Sequence, residues 1–160
     1  MSVSAKAAFA QSVAPPRDLI DQVLKDLVPK GLSGPLTKGL AESVVTRAID
    51  LDGDGRPEWL IVVEHSALCG ASGKYCPLAV YANGRSGFRR LFPASLDDAP
   101  TPTYIGAGGL ARLRVGPHRT AGFLDLAWHF SAGANDPDPY DVTLTYDGAA
   151  YRSGITKRKR

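Results

Sequence analysis

Residues 44–63 constrain this chain more than any other stretch. Val44-Val45-Thr46-Arg47-Ala48-Ile49 and Trp59-Leu60-Ile61-Val62-Val63 are apolar, β-branched runs of strand length. Between them stands Asp50-Leu51-Asp52-Gly53-Asp54-Gly55-Arg56-Pro57-Glu58. Two strands joined by a Gly-bearing turn make a hairpin, and this turn gathers carboxylates at alternate positions. Converging carboxylates repel one another unless a cation sits among them. A hard cation such as Ca²⁺ takes roughly six to eight oxygens, and a loop of this spelling supplies most of them. Asp50, Asp52 and Asp54 are the expected side-chain ligands, Arg56 would offer its backbone carbonyl, and Glu58 would close the shell directly or through water. Gly55 stands where the chain must turn sharply, at no Cβ cost. The competing account is an Asp/Gly-rich turn that holds no ion.

The flanks decide which kind of calcium loop this is. An EF-hand has helices on both sides and a bidentate Glu at the end of its loop; that position is Ile61 here, and the flanks are strands. The spelling D-x-D-x-D-G-x-x-E between strands resembles the calcium hairpins of integrin-α and FG-GAP-type propeller repeats. The resemblance covers little beyond the loop and occurs once, whereas a propeller needs several blades of about 40 residues. What is carried over is therefore the hairpin alone, with structural Ca²⁺ on Asp50, Asp52, Asp54, Arg56 and Glu58.

A chain of 160 residues is long enough for one domain with a real core. Hydrophobic residues at 44% and charged ones at 22% are ordinary for a globular chain, which excludes low-complexity and fibrous classes. The formal net charge of +3 arises at the end: Lys157-Arg158-Lys159-Arg160 outweighs it, leaving the body slightly acidic. The tail can touch phosphate or an acidic surface, or remain solvated. No nucleic-acid module is expected, because basic and aromatic residues do not interleave. No segment reaches the ~18 apolar residues that a membrane span needs.

Ala8-Phe9-Ala10 before Gln11 has the small-x-small form of a signal-peptidase site, although no charged and apolar regions precede it. A signal remnant and a disordered leader both remain open. Cys69 and Cys76 bracket Gly70-Ala71-Ser72-Gly73-Lys74-Tyr75, a turn that can bring them together. An even pair so close in sequence fits an oxidised compartment, and closing so short a loop stabilises by about 2 kcal/mol. Zinc is not expected, since only His65 lies nearby. Calcium loop, cystine and leader together point to a periplasmic or secreted protein.

Ser72-Gly73-Lys74-Tyr75 is similar to the S-G-x-Y loop of periplasmic inhibitors of lysozyme. The resemblance covers four residues. It implies that the Ser and Tyr hydroxyls meet the catalytic carboxylates of a lysozyme-like or other cell-wall hydrolase. Immunity proteins against injected hydrolases read alike. A loop stapled by a cystine loses less entropy on docking, and Lys74 adds charge complementarity to an acidic cleft. The competing account is a turn that uses Ser and Gly because turns do.

The remainder reads as α+β, mostly antiparallel sheet. Residues 1–14 form a leader, 15–155 a globular domain and 156–160 a basic tail. Pro15-Pro16 introduces an amphipathic helix over Arg17–Val28, stopped by Pro29 and Gly31. Leu36–Glu42 reads as a short helix or turn. About seven short strands are then expected, as one sheet or a half-open barrel with the helix on one face. Asn83-Gly84, Gly116–Arg119 and Asp147-Gly148 are the expected turns.

Catalysis has weaker support. Asp125 and His129 lie four apart in a strand and share a face, with Ser131 following. No nucleophile-elbow spelling is present. The alternative function is an envelope hydrolase using calcium or this Asp125/His129 face. The acidic stretch 135–141 is stiffened by Pro137 and Pro139, which break ligand spacing.

Overall fold

The computed structural model describes residues 13–32, 34, 38–70, 75–93, 104–105, 109–130 and 140–158. Helix α1 (Arg17–Leu27) follows Pro16, whose fixed φ suits a helix entry, and carries Asp18 in its first turn and Lys25 in its last. It ends where the Val28 amide bonds Leu24 oxygen and Pro29 follows.

Nine strands follow among the described residues: β1 (Val44–Ile49), β2 (Glu58–Val63), β3 (Cys76–Gly84), β4 (Gly87–Phe92), β5 (Tyr104–Ile105), β6 (Arg114–Thr120), β7 (Phe123–Phe130), β8 (Tyr140–Tyr146) and β9 (Tyr151–Lys157). They form two antiparallel sheets, ordered β1-β2-β3-β4 with β5 on β3, and β6-β7-β8-β9.

Alternation explains the layering. In β2 every side chain is buried. Trp59, Ile61 and Val63 join Ala79 and Tyr81 of β3 and the fully buried Leu19 and Val23 of α1. Leu60 and Val62 join Leu78 and Val80, and meet Leu126, Trp128, Val142 and Leu144 of the second sheet. The first sheet is thus apolar on both faces, with the helix on one side and the second sheet on the other. Antiparallel strands buried on both faces read as continuous apolar runs, as these do.

Polar contacts tie the layers together. The Tyr81 hydroxyl donates to Asp26 Oδ2 at 2.9 Å, and Arg90 Nη1 lies 3.1 Å from the same oxygen. Burial, then the Asp26 carboxylate, pushes the Tyr81 phenol far above its usual range. On the other side, Arg89 Nη1 donates to the Ala149 carbonyl at 2.9 Å.

The α+β class and the helix stand as expected. The single sheet or half-open barrel is corrected to two stacked, unclosed sheets, because the first sheet has two apolar faces to cover. Two turns also move. Gly116–Arg119 lies inside β6, and the chain turns at Ala121 (φ 48°) and Gly122 (φ 93°). β6 is an edge strand with a register shift between Val115 and Arg119, which is where a sheet tolerates Pro117. Asn83-Gly84 closes β3, and the turn falls on Arg85-Ser86 before Gly87.

Candidate metal centre

β1 and β2 pair in register from Val44 opposite Val63 to Ile49 opposite Glu58, so the acidic loop is the hairpin's connection. Its backbone is shaped by its own carboxylates. Asp50 accepts from the Gly53 amide at 2.7 Å and from the Gly55 amide at 3.1 Å. Asp52 accepts from the Asp54 amide at 2.9 Å, and Asp54 from the Arg56 amide at 2.7 Å. Gly53 and Gly55 take φ of 83° and 86°, left-handed values that a side chain resists.

Oxygens of Asp50, Asp52 and Glu58 lie within 4.8 Å of one another. Glu58 is 3% exposed, the one buried charged side chain among the described residues. Strand alternation places it on the face shared with Leu60 and Val62, at the end of the seam between the sheets. Its Oε2 accepts from the Leu51 amide at 2.7 Å. Burial first, then the charges of Asp52, Asp54 and Asp50, raises the Glu58 carboxyl to about 7. Burial and the same neighbours also raise Asp52 above its usual range.

Among the described residues no Lys, Arg or His forms an ion pair with Asp50, Asp52 or Glu58. Three converging carboxylates, one of them buried with no cationic side chain paired to it among the described residues, are a donor set suited to a hard divalent ion. Asp54 and Arg56 are not part of this trio. Arg56 Nε stands 3.3 Å from Asp54 Oδ2, both exposed.

The second sheet completes the surroundings, through residues that the local spacing does not reveal. The Leu51 carbonyl accepts from the Leu124 amide at 2.9 Å and from Arg119 Nη1 at 2.7 Å. Arg119 Nη1 also bonds the Gly122 carbonyl at 2.9 Å, and a Cβ on Gly53 would stand 3.3 Å from its Nη2. The Tyr151 hydroxyl donates to the Leu124 carbonyl at 2.8 Å. Burial, then the Glu58 and Asp125 charges, keeps this phenol protonated far above its ordinary range. Phe123, Tyr146 and Tyr151 pack as an aromatic trio, with Phe123 and Tyr146 centroids 4.1 Å apart.

The other expected residues divide. Cys69 and Cys76 form a disulfide with Cα atoms 4.1 Å apart. Tyr75 accepts at its carbonyl from the Gly70 amide at 2.7 Å; Ser72, Gly73 and Lys74 lie outside the described residues. His129 bonds Asp141 at 3.1 Å and not Asp125, whose Oδ1 is buried without a partner. Ser131 and residues 135–139 lie outside the described residues. His65 accepts from the Ala67 amide at Nδ1 and reaches the Lys38 carbonyl with Nε2, so its ring fastens a turn. No family model, curated protein or solved structure matches the chain. No helix among the described residues is long and apolar enough to cross a membrane.

Proposed function

We propose that this chain is a calcium-stabilised binding module of an oxidising compartment, the periplasm or the extracellular space. The buried Glu58 carboxylate beside Asp50 and Asp52 carries the reading. A carboxylate removed from water is costly unless a proton or a cation neutralises it, and the cation that three converging oxygen donors suit is a hard divalent one. Ca²⁺ there would offset the mutual repulsion and hold the β1–β2 connection. The Cys69–Cys76 disulfide supports the compartment. In its most specific form the module inhibits a cell-wall hydrolase through residues 72–75, which lie in sequence between the two bonded cysteines.

Thermal unfolding of the non-reduced protein, in millimolar Ca²⁺ and in EGTA, tests the metal. A ligand that binds only the folded state raises the midpoint with its concentration. We expect a rise in Ca²⁺ that disappears in Asp52→Ala, with Kd on the order of 10⁻⁴–10⁻³ M as in extracellular modules. An equal midpoint with and without Ca²⁺ removes the reading.

A further inference from the structure

The outward face of the second sheet carries charge that the metal centre does not use. Leu126, Trp128 and Val142 face the core, so Ala127, His129 and Asp141 face away from it. Arg114 pairs with Ala127 in register, and His129 with Asp141. Together with Arg112 and Arg158 these residues line a groove of about 470 Å³, within the usual range for a small-molecule site.

The charges in this groove do not balance. Asp141 is the single acid of the lining, and both its oxygens are engaged: Oδ1 by His129 at 3.1 Å and Oδ2 by Arg158 Nε at 2.8 Å. Arg112 and Arg114 have no acidic partner among the described residues, and both are exposed. Arg47, outside the lining, donates from β1 to the Leu113 carbonyl at 3.1 Å and so anchors the segment between them. The methyl of Ala127 leaves room in front of Arg114. Guanidinium forks match the oxygens of phosphate and carboxylate, and a tetrahedral dianion has oxygens enough for two forks where a monocarboxylate satisfies one.

We propose that this groove binds a small phosphate monoester, its phosphate held between Arg112 and Arg114 and its organic part over Ala127 toward His129 and Arg158. Arg158, held by Asp141 through its Nε, borders the site.

The test is an amide-resolved NMR titration with phenyl phosphate at constant ionic strength, with benzoate and sodium chloride as controls. Saturable shifts at Arg112–Arg114 and at Ala127–His129 are expected. In the Arg112→Gln/Arg114→Gln double variant affinity should fall by about tenfold or more, as losing charge-assisted bonds entails. Both side chains are exposed, and an unchanged unfolding midpoint verifies that the variant folds. The proposal is overturned if shifts do not saturate, if benzoate or chloride reproduces them, or if the double variant binds equally. A single-stranded oligonucleotide that binds this face tighter than the monoester would also overturn it.

Discussion

Glu58 is the residue on which the acidic loop turns. Its carboxyl, ordinarily near 4.5, stands at about 7 when no ion compensates it. The folded state then holds the proton more tightly than the unfolded one. Without Ca²⁺, the stability that Glu58 contributes should therefore be fully present below pH ~4.5, fall as pH rises through about 7, and level off above. Saturating Ca²⁺ should reverse the slope, since the ion must displace that proton to be bound. Unfolding midpoints of the metal-free protein across this range, for wild type and Glu58→Gln, check the point. The variant should lose this fall, and an identical slope in both would remove Glu58 as its source. Asp147 has the opposite shift. The Ala150 and Ala149 amides and Arg152 hold its carboxyl well below the usual range. It is exposed, and it ties its turn to Arg152 of β9.

At the scale of elements, the β1–β2 connection is fastened to the β6–β7 hairpin by two donors on one carbonyl, Leu51. An ion that orders the acidic loop should thus be felt in the second sheet. Hydrogen exchange at the Leu124 amide should slow when Ca²⁺ is added, and the effect should shrink in Arg119→Gln. The Glu64 amide, bonded to the Ser43 carbonyl at the far end of the same hairpin, serves as the reference. Equal protection at Leu124 with and without Ca²⁺ would separate the two hairpins energetically. The loop itself was legible in sequence because its spacing is local: alternate acids and Gly55 specify a turn whatever the rest does. Arg119 and Leu124 were not, since nothing near them in the chain marks a partner 68 or more residues away. Gly116-Pro117 also hid β6, because the pair ends most strands and is tolerated here only at an edge. The two-sided burial of β2 was written in Trp59–Val63, an unbroken apolar run that a one-faced sheet would not need.

The whole molecule is three layers: helix, first sheet, second sheet. The acidic loop lies at an end of the seam between the sheets, the Cys69–Cys76 staple follows β2 at the other end of that strand, and the arginine groove occupies the outward face of the second sheet. Three separate regions therefore bear chemistry without sharing side chains, which suits a scaffold that presents surfaces. If residues 72–75 meet a hydrolase, Ser72→Ala and Tyr75→Ala should abolish inhibition of a lysozyme-like enzyme while leaving the unfolding midpoint unchanged. Inhibition that survives both substitutions would exclude that loop as the contact.

The strand order carries a last consequence, for how the chain reaches this state. Save for the short β5, every strand among the described residues pairs with its neighbour in sequence, so each sheet is a meander. Each hairpin closes a short loop, and loop-closure entropy rises with length, so the two meanders can zip independently. The non-local steps left are their docking face to face and the packing of α1 on the first sheet. The acidic loop sits at an end of the seam between the sheets, so a refolding rate that rises with Ca²⁺ in the wild type and not in Asp52→Ala would place the charge gathered there in the docking step.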